Sequence, residues 1–359
     1  MNAVLAEAEC PRAVPATATA VVLLGTGKVG GAFLQLLRTP AGANLRLVGA
    51  ANSRHQQTHA NALAARHLRE HLDGAGDARD DAGLLRALDA SAASLKVIID
   101  ATASCELAAR HPEWLAHGCH VVTANKALAG GDLAGWRGLQ AACAQGVRYG
   151  DSATVGAGLP ALATLRRLHA CGDVVTRIEG VFSGSLSYLF NHYDARQPFS
   201  TLLREACARG YTEPDPRADL AGEDVARKLL ILVRAAGVPL QRADIEVENL
   251  VPEALRDIPQ AAFLDRLDAL DAPVAARLAD ATARGCVLRY LARFEADGSA
   301  RVGLAEVPPA HPAAHLEGAD NLFAFTTQRY RQRPLVIQGA GAGPEVTAQA
   351  LLGDILALA

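Results

Sequence analysis

The stretch AVVLLGTGKVGGAFLQLL, Ala20–Leu37, decides how the chain is read. A short apolar run, Val21–Leu24, meets Gly25-Thr26-Gly27-Lys28-Val29-Gly30, and a helical pattern follows. Strand, GxGxxG and helix in that order are the context in which the motif binds a dinucleotide. The first glycine permits a tight turn, the second lets a pyrophosphate approach the backbone, and the third lets helix and strand pack closely. The helix N-terminus adds unpaired N–H groups and the positive end of its dipole. The bland alternative is a glycine-rich turn with no ligand.

Working outward, LRLVGAANSRHQQ reads as a second strand ending near Ala51. An NAD site usually carries an acid at this point for the ribose hydroxyls. Here stand Asn52, Ser53, Arg54 and His55. The hydroxyl of Ser53 and the guanidinium of Arg54 suit a 2′-phosphate, which favours NADP with NAD as second choice; the competing reading makes Arg54 an ordinary solvated arginine. LDGAGDARDD, Leu72–Asp81, reads as a plain surface loop. SLKVIIDATAS is a buried parallel-type strand ending in small hydroxylated residues at the carboxyl edge, where ligands sit. HVVTANK brings Asn125 and Lys126 to the same edge. The β-α-β-α-β pattern closes near Tyr149, so a Rossmann-type domain is expected over 20–150, after a flexible tail over 1–19.

Beyond Tyr149 the pattern changes. DSATVGAGLPALATLRRL is a glycine-rich turn entering a helix, and VTRIEGVFSGSLSYLFNHY reads as strand, small-residue loop and helix. VLRYLARFEADGSARVGLAEV alternates like a hairpin about Asp297-Gly298. A mixed α+β domain is expected over 151–337. The last segment, 338–359, holds a glycine-rich turn and a helix expected to pack back on the first domain. The fold class is thus α/β, a parallel nucleotide sheet joined to a mixed α+β domain.

Composition narrows the function. Half of the 359 residues are hydrophobic and the net charge is −3, with 35 basic residues spread along the chain. That distribution offers no basic field to nucleic acid and no polybasic segment to a membrane. Seven cysteines, never spaced CxxC, argue against a disulfide framework and for a reducing cytoplasm. Glu7 and Glu9 stand where a signal peptide would carry positive charge.

GYTEPDPRADLAGEDVARKLLIL, Gly210–Leu232, carries the chemistry. Asp224 and Lys228 lie about 40° apart on one helix, on a line that Ile231 and Ala235 continue as apolar. Glu223, Arg227 and Arg234 fall on another side, read as the solvent face. An exposed i,i+4 pair would contribute only about 0.3–0.5 kcal/mol. Upstream, however, Glu213, Asp215 and Asp219 crowd a loop stiffened by Pro214 and Pro216, and like charges so close call for a cation or an ammonium ligand among them.

At these residues the chain resembles the homoserine dehydrogenases, on LLGTGKVG, HVVTANK, VGAGLP, GVFSGSLSYLF, GYTEPDPRADLAGEDVARKLLIL and GAGAGPEVTAQALLGDIL. The resemblance is densest to the dehydrogenase half of bifunctional aspartokinase–homoserine dehydrogenases. No kinase domain is expected before Ala20 and no regulatory domain after Ala359. The resemblance implies reversible reduction of L-aspartate 4-semialdehyde to L-homoserine with NAD(P)H, by a homodimer. It implies Lys228 as proton donor and acceptor, helped by Lys126 and oriented by Asp224. Glu213, Asp219 and Asp224 would form the acidic substrate pocket, lined by Gly184 and Ser185. Thr26, Gly27, Val29, Gly30, Thr102, Ser104 and Gly343 would contact the dinucleotide, beside Gly25, Ser53, Arg54 and Lys126. A monovalent cation such as sodium is implied at Ser152, Val155, Ala157 and Leu159, although many members carry glutamate in place of Ser152. Two rival readings are a semialdehyde dehydrogenase acylated at Cys105 and a nucleotide-sensing module without catalysis.

Overall fold

Two runs of strands separate the chain into two sheets. The structure, a computed structural model, describes residues 19–358; of the expected tail, residues 1–18 lie outside it, and Thr19 already belongs to the first strand. The first sheet holds Thr19–Leu24 (β1), Leu45–Ala51 (β2), His55–Thr58 (β3), Asp77–Ala78 (β4), Leu95–Asp100 (β5), His120–Thr123 (β6) and Tyr149–Gly150 (β7), in the order β4-β3-β2-β1-β5-β6-β7. From β2 to β7 every pairing is parallel, whereas β3 and β4 form an antiparallel edge. β1 is buried along its length, and its side chains alternate between two cores as the pleat requires. Val21 and Leu23 face one with Phe33; Val22 and Leu24 face the other with Leu84 and Trp114.

The stretch Leu72–Asp81 is not a plain loop. It contains the end of the Leu68–Gly74 helix and β4, and Asp80 caps the Asp81–Ala90 helix through Ala82 N–H. Its order comes from polar contacts that hydropathy does not register, including Asp80 N–H donating to Gln56 Oε1 at 2.8 Å. β3, with the sequence HQQT, escaped notice for the same reason.

The second sheet contains Val175–Val181 (β8), Ile245–Val247 (β9), Val287–Glu295 (β10), Ala300–Val307 (β11), Asn321–Thr327 (β12) and Leu335–Gly339 (β13), ordered β13-β12-β8-β10-β11-β9. β10 and β11 form the hairpin expected about Asp297-Gly298. Leu288, Tyr290 and Phe294 of β10 face a core shared with the helices Gly184–His192, Phe199–Ala208 and Glu223–Ala235. Leu291 and Val181 face the opposite side, covered by Ala313 and Leu316. The terminal helix, Pro344–Leu356, returns to the first sheet, where Ala348, Leu351, Leu352 and Ile355 complete the core around Val21 and Phe33. Asp354 fastens it, accepting from Ser152 N–H at 2.9 Å and Ser152 Oγ at 2.6 Å. Among the described residues no helix is long and apolar enough to cross a membrane.

A buried acid ties the covering segment to the second sheet. Glu179 of β8 accepts from Arg293 of β10 and pairs with His311 Nε2 at 2.9 Å. Burial works against its charge, yet His311 and Arg293 hold the carboxyl below its ordinary value of 4.5. A folded-state value below the unfolded one means that the pairing stabilises the fold above pH 4.5, and that the contribution is lost as pH falls through the depressed value. Glu179→Gln is therefore expected to lower stability at pH 7 by about 1–3 kcal/mol and to flatten the acid limb. Urea midpoints between pH 6 and 3.5 measure both; an unchanged slope would remove Glu179 from the acid response.

Candidate active site

The turn after β6, at the carboxyl edge of the first sheet, meets the N-terminal end of the Glu223–Ala235 helix through Lys126 and Asp224. At the first turn Gly25 has φ +91°, and a Cβ there would stand 2.7 Å from Thr102 Cγ2. A Cβ on Gly30 would stand 1.9 Å from the Gly25 carbonyl oxygen. Both glycines are thus required by close approach, one between the turns after β1 and β5, the other between turn and helix. Gly27, by contrast, faces open space, and no side chain caps the Lys28–Leu36 helix that it precedes. That open helix end is the place for a pyrophosphate. Thr26 is buried, Val29 half-buried, and Ser53 and Arg54 are exposed on the turn between β2 and β3. Gly343 opens the terminal helix, which lies against Lys28–Leu36.

Thr102 and Ser104 have structural partners of their own. The Thr102 hydroxyl donates to Asp100 Oδ1 at 2.7 Å, and Ser104 caps the short Cys105–Ala109 helix through Leu107 N–H. Cys105 is exposed.

Two lysines, one from the turn after β6 and one from the Glu223–Ala235 helix, converge on one carboxylate. Lys126, in the turn after β6, lies 3.3 Å from Asp224 Oδ1, and Lys228 lies 2.8 Å from Asp224 Oδ2. Lys228 also donates to the Phe182 carbonyl at 2.8 Å, just beyond β8. An ammonium has three N–H donors, so one remains without a partner among the described residues. The Lys228 side chain is 13 % exposed against 31 % for Lys126, so its stem is the better held of the two. Desolvation works to raise the Asp224 carboxyl, but the charges of Lys228 and Lys126 outweigh it and hold the group well below the carboxylate range.

A second acid stands beside this group. Asp219 accepts from Ser185 Oγ and from Glu213 N–H, the latter at 2.8 Å. Burial raises its pKa; the two hydrogen bonds oppose this, and the nearby charges of Glu213 and Asp224 add to it. Gly184 opens the helix that carries Ser185, capped by Ser183. Glu213 is exposed and meets Asp219 through its backbone. Asp215 does not join the cluster: Arg217 neutralises it at 2.6 Å. The expected crowd of loop acids is therefore smaller by one.

Arg234 is a second correction. It is not on a solvent face but 2 % exposed, donating to the carbonyls of Leu240 and Ala129. Helix periodicity placed it correctly around the axis; what it could not show is that the turn after β6 covers that side.

The turn expected to hold a cation is matched internally only in part. Ser152 gives its hydroxyl to Asp354, the Leu159 carbonyl accepts Ala161 N–H at 2.8 Å, and Asp151 pairs with Arg166 at 2.5 Å. Val155 and Ala157 are buried in the same turn. Serine here supplies no carboxylate, while the backbone carbonyls of Val155 and Ala157, on which the expected site largely rests, accept no hydrogen bond among the described residues.

Sequence reading overlooked Asp100, His111 and Tyr149, a buried polar chain beneath the turns after β5 and β6. The available signal was an acid closing the apolar run VIID.

Comparison with known proteins agrees with this geometry. Residues 160–356 match the family model described as homoserine dehydrogenase, and residues 25–149 match its NAD binding domain. A maize protein named bifunctional aspartokinase/homoserine dehydrogenase 2, chloroplastic, is 38% identical over 100% of this chain and 41% of its own length. The chain therefore spans about two fifths of that relative. A homoserine dehydrogenase of Emericella nidulans is 43% identical, covering 74% of this chain and 76% of its own. A solved structure of a Candida auris protein of unknown function superposes with a TM-score of 0.87 at 34% identity, over 95% of this chain and 98% of that one.

The helix bearing Asp224 and Lys228 starts at Gly222, whose φ is +73° and whose added Cβ would lie 2.0 Å from the Tyr290 hydroxyl. Gly222→Ala is expected to cost about 1–3 kcal/mol through strain and displacement. Urea unfolding checks it, and a change within about 0.5 kcal/mol would show that the helix entry yields freely.

Proposed function

The chain belongs to the homoserine dehydrogenase family, and we propose that it interconverts L-homoserine and L-aspartate 4-semialdehyde with NADP in preference to NAD. The step would lie on the route from aspartate to threonine and methionine. The observation that carries this reading is the third N–H of Lys228, without a partner among the described residues, on an ammonium held by Asp224 and the Phe182 carbonyl beside a second acid, Asp219.

The nicotinamide ring, when bound, supplies or accepts the hydride. What remains falls to this chain. In reduction, Lys228 directs its free N–H at the aldehyde oxygen, stabilises the developing alkoxide and delivers the proton. In oxidation the same nitrogen, as the amine, takes the hydroxyl proton. Asp224 keeps Lys228 and Lys126 at a fixed separation, so that substrate and cofactor are positioned from two sheets. Asp219 and Glu213, with Ser185 and Gly184 lining the floor, are suited to an amino-acid ammonium group. Ser53 and Arg54 are suited to a 2′-phosphate, since both are exposed on the turn after β2. A cation at the turn of Ser152, Val155, Ala157 and Leu159 would rest largely on backbone carbonyls, and no step draws on one. We read 20–150 as the nucleotide domain, 151–337 as the substrate and dimerisation domain of a homodimer, and 338–359 as the returning segment.

Spectrophotometric oxidation of homoserine with NADP and NAD tests the proposal. Lys228→Ala is expected to lower kcat roughly 10²–10⁴-fold, while Cys105→Ser keeps wild-type turnover; the reverse pattern would move the chemistry to the thiol. Arg54→Ala is expected to shrink the NADP-to-NAD preference roughly tenfold or more, the equivalent of one charge-assisted hydrogen bond, and a wild-type preference for NADH would defeat that assignment.

Ser185→Ala tests the acid pocket through pH. The hydroxyl favours the ionised form of Asp219, so its loss raises a carboxyl that burial has already raised. The acid limb of kcat/KM for homoserine is expected to move to higher pH. A limb that stays in place would take Asp219 out of substrate binding.

A further inference from the structure

Asp100 lies at the carboxyl end of β5 with no exposed surface, and it belongs to none of the groups assigned above. Its carboxylate accepts four hydrogen bonds. Oδ1 takes Thr102 N–H at 2.9 Å and Thr102 Oγ1 at 2.7 Å. Oδ2 takes Asn125 Nδ2 at 2.9 Å and His111 Nε2 at 3.0 Å. A carboxylate oxygen can only accept, so His111 carries its proton on Nε2, and Nδ1 is left to accept from the Tyr149 hydroxyl at 3.0 Å. Burial raises the Tyr149 phenol well above its ordinary value, which keeps it a donor.

Asn125 carries the arrangement onward. Its amide donates to Asp100 and to the Ser104 carbonyl, the latter at 2.9 Å, while its oxygen accepts Ala127 N–H at 3.0 Å. Its own N–H donates to Thr123 Oγ1 at 2.8 Å. Both ends of the Asn125 side-chain amide are therefore engaged, and the amide cannot flip without losing all three partners, Asp100, the Ser104 carbonyl and Ala127 N–H. Lys126 projects from this clamp to Asp224.

We propose that Asp100 is a positioning residue that, through Asn125, locks the cofactor-side turn of Thr102 and Ser104 and the lysine turn of Lys126 into one rigid piece. The proposal rests on the dehydrogenase reading for its turnover arm only. The acid pocket of Asp219 and Ser185 hangs from the second sheet and meets this network only through Lys126 and Asp224, so cofactor binding and turnover should respond far more than homoserine affinity.

The substitution Asp100→Asn keeps the shape but places an NH2 group against donors. His111 can move its proton to Nδ1 and adapt; Asn125 cannot. NADPH affinity is read by fluorescence titration, and turnover by homoserine oxidation, for Asp100→Asn, Asn125→Ala and the double variant. Each single change is expected to raise the NADPH Kd roughly tenfold and lower kcat roughly 30-fold, with KM for homoserine within about threefold, as displacements near 1 Å produce. Because the two residues act as a unit, the double variant is expected to be no worse than the poorer single one. Losses that multiply, or a folded Asp100→Asn with Kd and kcat within about twofold of wild type, would overturn the proposal. Should Asp100→Asn fail to fold, Asn125→Ala alone decides it by the same thresholds. A wild type that binds NADPH without oxidising homoserine would defeat the proposed function, while the Kd cycle would still judge Asp100.

Discussion

A single carboxylate shared by two ammonium groups is the constraint around which the site is arranged. Asp224 lies in the first turn of its helix, where the dipole favours negative charge; one of its oxygens meets Lys228 of the same helix and the other Lys126 of the turn after β6. As a contribution to stability this is minor, because half-exposed ion pairs gain little over hydration. Its importance is geometric. Lys228 is fixed along its stem by a helix whose residues Leu229–Val233 are all buried, and at its tip by Asp224 and the Phe182 carbonyl. The apolar face of the helix thus serves a charged group by denying it alternative rotamers.

The two halves of the molecule are interlocked rather than laid side by side. Ala129 follows a strand of the first sheet yet packs into the core of the second, whereas Ala153, beyond that sheet, packs into the core of the first. Arg234 crosses in the same region, its guanidinium over Trp136 and its Nη1 donating to the Ala129 carbonyl. These crossings hold the Lys126 turn against the Lys228 helix. A separation between two charges is only as well defined as the backbone behind each of them, and here both backbones are anchored in shared apolar contacts.

Much of this was legible beforehand, and for identifiable reasons. The glycine turn, the apolar strands β1 and β5, the β10–β11 hairpin and the terminal helix follow from period and turn chemistry, which are local properties. The pairing of Asp224 with Lys228 follows from helix geometry. What sequence alone did not show was polar structure whose partners are distant along the chain. β3 and β4 are held by side-chain amides and carboxylates, Arg234 is covered by a segment about a hundred residues away (105 in sequence), and Asp100 gathers four donors from three segments. Asp215 errs in the opposite direction: it looked like part of an acid cluster until its neighbour Arg217 was seen to neutralise it.

The terminal helix has a consequence for how the molecule comes into being. Its residues complete the core that begins at β1, and Asp354 bonds Ser152 across 202 positions of sequence. During synthesis the N-terminal part of a chain emerges first. The nucleotide sheet would then have to wait, one apolar face covered only in part by Phe33, Leu68 and Leu72, until the second sheet and then this helix have been made. Contacts so far apart in sequence close slowly. Until this helix docks, Val21 and Phe33 lack the cover of Ala348, Leu351, Leu352 and Ile355.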